Sequence, residues 1–390
     1  MPKKRILILA ETSRTFGRQI IQGISQFALE KGSWALLLED RGFFDRVPFW
    51  MEEMQFDGIV SRTVSADSSQ TLETFGVPVV ELLGDGLYRT CDVLSDSTRV
   101  GSLAATHFHE RGFRQFAYFS TGHTWWSQEF HDAYCCHLQK LGFGCHISPF
   151  CEEQNESALS LKLQPTMERD ILGWLSKLPK PIGLFCPSDS QAIFILNLCQ
   201  IAGLKVPHEI AVLGVENNAT LCTATTPPLS SIAADGWTVG YQAAKLLDTI
   251  IEKRPLPELP IRIPPIGIVP RQSSDIIAID DADVAKALHY IAAHPGLRIT
   301  VKDVARHVEV SLRTLIRKFK GILNRSPDEE IRRVCIERAK LLLHDTELSV
   351  SKIAENLGYS SSEYFIRSFR RKTGVTPRAY RHAFRSEEES

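Results

Sequence analysis

The chain has 390 residues, 43% of them hydrophobic and 23% charged, a balance ordinary for globular proteins and long enough for two or three domains of about 100–200 residues. This excludes a disordered, collagen-like or small disulfide-stapled protein, and no apolar run approaches the roughly 18 residues that a membrane span needs. The net charge of −1 hides an asymmetry: residues 296–385 hold 20 Lys+Arg against 10 Asp+Glu, and residues 1–295 hold 25 against 33, so a polyanion is expected at one end and a different partner at the other.

The chain opens with a basic flank, Met1 to Arg5, and an apolar stretch at 6–10 that is too short for a signal peptide. A cytoplasmic protein is expected. Short apolar runs follow at 6–10, 35–39, 58–60, 77–82, 116–119, 182–186 and 211–215, separated by helical patterns at 18–31, 99–111, 189–203 and 240–253. This is the rhythm of βαβ units and parallel sheets, which bind ligands at the carboxyl ends of their strands. Those ends are polar here: Glu11-Thr12-Ser13-Arg14, Glu39-Asp40-Arg41, Ser120-Thr121-Gly122-His123, Ser188-Asp189-Ser190 and Glu216-Asn217-Asn218.

A dinucleotide fingerprint, a phosphate-binding P-loop, H-E-x-x-H and G-x-S-x-G are all absent. Gly84-Asp85-Gly86 is only a turn signal. Nothing assembles a nucleophile with its base, so no enzyme, catalytic residue or cofactor is expected. The nine cysteines are odd in number and include no C-x-x-C pair, which argues against a disulfide framework or a zinc ribbon. His131, Cys135, Cys136 and His137 lie on a helical stretch that carries them to several faces, so no metal site is expected there.

Several of these segments resemble the two-lobed, periplasmic-binding-protein-like sensor domain of LacI/GalR regulators. The matching residues are 96–101 with Ala104 and Gly112; Cys186-Pro187-Ser188-Asp189-Ser190-Gln191-Ala192; Ile210-Ala211-Val212-Leu213-Gly214-Val215-Glu216-Asn217; and Ile268-Val269-Pro270-Arg271-Gln272-Ser273-Ser274. The resemblance implies a sensor over residues 1–273, with lobes 6–111 plus 238–268 and 115–234, and a monosaccharide between them, D-xylose first. Carboxylate and amide side chains grip adjacent sugar hydroxyls, and an aromatic face covers the ring's C–H side. The candidates are Arg14, Arg18, Trp125, Trp126, Asp189, Glu216, Asn217 and Asp235. Caps, surface charges and core aromatics are the competing assignments. Sugar-binding relatives usually carry an arginine where this chain has Phe130, and commonly an aspartate where it has Glu216.

A polar, then acidic segment at 274–283 reads as a linker, and residues 284–385 read as an all-α domain. Thr300 to Asp303 has the capping-box form, with Val301, Val304, Ala305 and Val308 on one face. Ser311 starts a second helix with Leu312, Leu315, Ile316 and Phe319 apolar. Ser326-Pro327-Asp328-Glu329-Glu330 combines an N-cap, a proline at the first helical position and acids in the first turn. Then the pattern returns: Val304, Ala305 and Val308 match Ile353, Ala354 and Leu357 at an offset of 49, and Leu315, Arg317 and Phe319 match Phe365, Arg367 and Phe369 at 50. Two helix-turn-helix units joined by a long helix are expected, able to meet successive major grooves about 34 Å apart. The side chains expected to reach DNA are Arg313, Ile316, Arg317, Lys318, Ser362, Glu363, Ile366, Arg367, Arg370 and Lys372. Arginine can bond guanine bidentately, glutamate can accept from cytosine, and Lys372 suits a phosphate.

Residues 349–359 and 364–381 resemble the signature of AraC-type transcription regulators. That resemblance covers roughly 285–384 and implies base contacts from the second helix of each unit, with Ile316 making an apolar one. Together the two resemblances imply a sugar-responsive transcription regulator, an activator by its AraC-type domain. It would act as a homodimer on double-stranded DNA, with RNA polymerase a further candidate partner and no membrane. The competing readings are a carbohydrate enzyme with a DNA-binding tail, a transport-type binding protein, and a regulator whose degenerate cleft answers to a protein partner or to oxidation of the Cys135–Cys136 pair.

Overall fold

Continuous apolar runs are what strands buried on both faces of a parallel sheet require, and they form such strands here. The structure, a computed structural model, describes residues 3–39, 51, 54–62, 72, 74–83, 91–121, 125–152, 165–275, 281–296, 299–323 and 325–385. In chain order the α/β part comprises β1 (Lys4–Leu9), α1 (Thr15–Lys31), β2 (Trp34–Leu38), β3 (Gly58–Ser61), β4 (Val79–Glu81), β5 (Cys91–Ser95), α2 (Ser97–Glu110), β6 (Gln115–Tyr118), α3 (Trp125–Lys140), β7 (His146–Ile147), α4 (Pro165–Lys177), β8 (Ile182–Phe185), α5 (Asp189–Ile201), β9 (Ile210–Val215), α6 (Ala219–Ala224), β10 (Ser230–Ala233), α7 (Gly236–Ile251), β11 (Ile261–Ile263) and β12 (Gly267–Val269). The helical part follows as α8 (Ala282–Ala293), α9 (Val301–Val308), α10 (Leu312–Leu323), α11 (Pro327–Asp345), α12 (Val350–Asn356), α13 (Ser362–Thr373) and α14 (Pro377–Arg385). No described helix is long and apolar enough to cross a membrane.

The chain divides into two compact units, Met1–Val100 with Ala234–Pro265 and Gly101–Ala233 with Ile266–Ser390. In the first, six described strands form a sheet in the order β11-β5-β4-β3-β1-β2, paired in parallel. Alternation along β1 feeds both faces: Ile6 and Ile8 pack with Ile20, Ile24, Ala243 and Leu247 of α1 and α7, while Leu7 and Leu9 pack with Phe56, Ile59 and Val79. Helices α1 and α7 approach backbone to backbone. A Cβ on Gly240 would lie 2.0 Å from the Ile20 carbonyl oxygen, and one on Gly23 would lie 2.1 Å from that of Trp237, so only glycine allows this contact.

The second unit repeats the design with the order β12-β10-β9-β8-β6-β7, parallel except for the antiparallel β10–β12 pair. One face is filled by Ile171 and Leu175 of α4 and by Ile195 and Leu198 of α5. On the other, Tyr118, Tyr134 and Phe185 form an aromatic group. The α/β part is therefore periplasmic-binding-protein-like in architecture, and residues 282–385 are all helical with two helix-turn-helix units.

Those helices do not stand apart from the second unit's sheet. Ala233, Ile266 and Val269 share one buried cluster with Cys335, Ile336, Ala339 and Leu343 of α11 and with Phe365, Phe369 and Tyr380. The first helix-turn-helix has its own core of Val304, Ala305, Val308, Leu315 and Phe319 against Val284, Leu288 and Ile291 of α8. Residues 276–280 of the expected linker, Gly84-Asp85-Gly86, and Asp40, Arg41, Gly122 and His123 of the polar strand ends lie outside the described residues.

Candidate DNA-binding surface and ligand site

The repeat is realised residue by residue. Thr300 caps α9 and Ser349 caps α12 through hydroxyls accepting from Asp303 N and Lys352 N. Nine residues after each cap the chain enters the left-handed region, at Glu309 (φ 64°) and Gly358 (φ 75°), which ends the short helix and turns the chain. Ser311 and Ser361 then accept from the backbone of Thr314 (3.1 Å) and Tyr364 (3.2 Å), opening α10 and α13. Leu315 and Phe319, like Phe365 and Phe369, are fully buried, which turns the intervening side chains outward.

Arg313, Ile316, Arg317, Glu363, Arg367, Arg370 and Lys372 are exposed, and Ser362 and Ile366 are half-buried. Ile316 is 39% exposed and Leu312, one turn before it on the same face, is 38% exposed. Lys318 differs: its ammonium is held by Asp281 (2.8 Å) and Asp283 (2.7 Å) at the start of α8. Helix α11 joins the two units and is fixed by a full capping box between Ser326 and Glu329.

The start of α11 also meets the second unit's α/β part. Arg325 donates to the Glu110 carbonyl oxygen and Arg114 to that of Ile322. Glu330, 1% exposed, accepts from Arg333 Nε (2.9 Å) and Nη2 (2.7 Å) and lies 2.6 Å from Arg325 Nε. Burial opposes ionisation of Glu330, but Arg333 and Arg325 outweigh it and hold its carboxyl below the ordinary range. Nearby, buried His107 meets Ser274 Oγ at 2.8 Å. Desolvation, reinforced by Arg111 and Arg333, keeps this imidazole neutral. Reading Glu330 as a first-turn acid captured its dipole role but missed this network.

At the carboxyl ends of β8 and β9, Asp189, Asn217 and Ser231 form one hydrogen-bonded group. Asp189 accepts from Ser231 Oγ (2.5 Å), Asn218 N (2.7 Å) and Cys222 Sγ (3.3 Å). Its carboxyl is pushed up to about 7, mainly by burial and further by Glu216. Asp189 thus ties β8, β9 and β10 together at the strand ends. Asn217 is also buried; its N–H donates to Ser231 Oγ (3.0 Å) and its Oδ1 accepts from Arg271 Nη2 (2.9 Å). Because a guanidinium can only donate, Arg271 fixes the amide's orientation and leaves Nδ2 as its remaining donor. That Nδ2 is buried with no hydrogen-bond partner among the described residues. Glu216 (φ 104°) and Asn217 (φ 52°) both occupy the left-handed half of the map, where non-glycine residues store strain and cluster at binding sites.

Trp125 and Trp126 open α3 with their rings 6.4 Å apart and nearly perpendicular. Trp125 Nε1 is a second buried donor without a partner among the described residues. In the first unit, Arg14 is the residue before α1 and makes no side-chain cap. Arg18 donates to the Thr12 carbonyl (2.8 Å) and to Thr15 Oγ1 (3.1 Å), bracing the β1–α1 turn. Asp235 caps α7 through Thr238 N (2.9 Å) and Oγ1 (2.8 Å), and burial raises its carboxyl's pKa. The buried Glu11–Arg62 pair at the ends of β1 and β3, with Arg62 over the Phe16 ring, was not foreseen.

Comparison with known proteins bears on both halves. Residues 105–274 match the periplasmic binding protein-like domain and residues 304–383 match a helix-turn-helix domain. The xylose operon regulatory protein of Haemophilus influenzae is 27% identical over 97% of this chain and 98% of its own. That of Escherichia coli K12 is 26% identical over 97% of each. The chain is thus similar, nearly end to end, to the xylose operon regulatory proteins. A solved structure of a xylose-binding transcription activator superposes with a TM-score of 0.61 at 25% identity, covering 98% of each chain.

Phe130 is buried and tilts against Phe185 with ring centroids 6.5 Å apart. An apolar contact thus occupies the position where sugar-binding relatives usually carry arginine. Arg271 was legible only as part of a closing motif, and Ser231 was not singled out at all. Their roles arise from non-local pairing of β10 with β9 and β12, which no local pattern announces.

Proposed function

We propose that this protein is a sugar-responsive transcription regulator, reading DNA through residues 284–385 and sensing a monosaccharide, D-xylose first, through residues 1–273. The observation that carries the reading is the joining of a periplasmic-binding-protein-like fold to two helix-turn-helix units in one chain matched nearly end to end by xylose operon regulators. Asn217 Nδ2 and Trp125 Nε1 are the donors proposed for sugar hydroxyls, with Glu216 as acceptor and Trp126 as the aromatic face. Arg14, Arg18 and Asp235 complete the proposed set, and Asp189 acts by positioning Asn217 and Asn218. On DNA, Arg313, Arg317, Glu363, Arg367 and Arg370 are proposed to read bases with Ser362, Ile316 and Ile366, while Lys372 holds phosphate; Lys318 joins them only by releasing Asp281 and Asp283.

The regulator acts as a homodimer and activates transcription with RNA polymerase. Sugar binding works through its differential affinity for two arrangements of the chain. Thermal unfolding of the full-length protein against a panel of pentoses and hexoses tests the sensor. A ligand that binds only the folded state at 100 times its dissociation constant adds about 2.7 kcal/mol. A stabilisation by D-xylose supports the reading, and none with any sugar overturns it.

A further inference from the structure

The vicinal cysteines of α3 lie in different surroundings. Cys136 is exposed, whereas Cys135 is half-buried, as residues about 100° apart on a helix must diverge. The Cys135 thiol meets Cys145, from the residue just before β7, and His131 Nε2 at 3.4 Å. His131 Nδ1 lies 2.8 Å from Asp132 Oδ1, so a carboxylate orients an imidazole that faces a sulfur. Cys145 is half-buried as well. Cys186, Cys199, Cys222 and Cys335 are buried, and burial pushes Cys199 up to about 12 and Cys335 up to about 11. None of those four resembles a reactive thiol.

We propose that Cys135 and Cys145 form a reversible disulfide in response to hydroperoxides, with Cys135 attacking and Cys145 resolving. The Cys135 thiolate attacks the peroxide oxygen: an S–O bond forms, the O–O bond breaks and hydroxide leaves. The Cys145 thiol then attacks the sulfenic sulfur; the S–S bond forms, and the thiol proton leaves with the sulfenic hydroxyl as water. Peroxide is reduced by two electrons and the two thiols are oxidised by two. The hydrogen bond from Cys145, assisted by His131 and opposed by burial, holds the Cys135 thiol down to about 5, so the nucleophile is already ionised at neutral pH. The new bond would tie the last turns of α3 to the edge strand β7. It is a modification site that stands beside sugar sensing and does not depend on it.

Reduced full-length protein is exposed to hydrogen peroxide, free thiols are blocked, and non-reduced peptides are read by mass spectrometry. The expected product is a Cys135–Cys145 linked peptide that dithiothreitol removes. Cys145→Ser is expected to stop at a dimedone adduct on Cys135, and Cys136→Ser to keep the wild-type rate. His131→Gln should shift the pH profile of Cys135 alkylation upward, because the imidazole helps to hold the thiolate. First oxidation at Cys136, a Cys135–Cys136 link, a link between two copies, or an unchanged oxidation rate in Cys135→Ser would each overturn the proposal. The wild-type peptide map alone decides the connectivity, whatever the variants do to folding.

Discussion

Replacing Glu330 by glutamine tests how the DNA-binding helices are anchored. The native carboxylate takes two hydrogen bonds from Arg333 and an ion pair at 2.6 Å from Arg325, at 1% exposure. Glutamine keeps the shape and one acceptor oxygen, but its amide group presents hydrogens to guanidinium donors. One charged hydrogen bond, worth about 1.5–3 kcal/mol, is lost. Two guanidiniums also lose their counter-charge, and breaking buried pairs in this way costs about 3–5 kcal/mol. A cavity of about 190 Å3 borders Glu330, Arg333 and Arg111, so water reaches part of the network and the lower end, about 3 kcal/mol, is expected. All six tryptophans lie between residues 34 and 237. Their fluorescence therefore follows the α/β part, while far-ultraviolet circular dichroism follows the helices of both parts. In urea, with slopes of about 1–3 kcal/mol/M, Glu330→Gln should lower the helical transition by about 1 M or more. A loss below about 1 kcal/mol would refute the picture of a desolvated network joining α11 to the residues around Glu110.

Three further outcomes follow from the sites. Asn217→Ala removes the unpartnered amide donor and should weaken sugar binding by about 1–3 kcal/mol, read by calorimetry; because it also removes the acceptor of Arg271, the sugar-free protein should melt lower as well, and undiminished affinity would remove Asn217 from the site. Arg367→Ala should cost about 1–3 kcal/mol on specific DNA only, whereas Lys372→Ala should weaken specific and random DNA alike and flatten the salt dependence; equal losses on both DNAs for both variants would contradict the division of roles. Asp189 carries a pKa raised to about 7 by burial against about 3.9 in an unfolded chain. The folded state holds a proton that the unfolded state has lost, so this contribution is full below about pH 4 and disappears as the pH rises through about 7. Asp189→Asn should flatten the pH dependence of stability across that window, and an unchanged profile would show that the carboxyl titrates normally.

The sequence carried those features that depend on local periodicity. The parallel strands with continuous apolar runs were legible, as were the helix-turn-helix repeat and the caps at Thr300, Ser311 and Ser326. Strand β10 was not, because its buried serines, Ser230 and Ser231, are polar in sequence and become strand residues only through bonds to Arg271 and Asp189. The turn residue Glu309 likewise hid its equivalence to Gly358, since glutamate rarely takes positive φ. Among the ligand candidates, Asp189, Glu216 and Asn217 do come together, but Asp189 turned out to be fully engaged by protein donors. The anchoring of α11 through Glu330 and Arg325 was invisible: it pairs residues more than 200 positions apart in the chain. Lys318, read as facing DNA, could not be foreseen to find Asp281 and Asp283.

The central claim is that a sugar held by one half of the chain alters what the other half does on DNA. Double-stranded fragments selected from a random pool by the full-length protein, then titrated by fluorescence anisotropy at fixed salt with and without D-xylose, test it directly. The account predicts that xylose changes the affinity for the selected fragment and leaves that for random DNA nearly constant. An affinity for the selected fragment that stays the same with xylose and with every other pentose and hexose tried would contradict it.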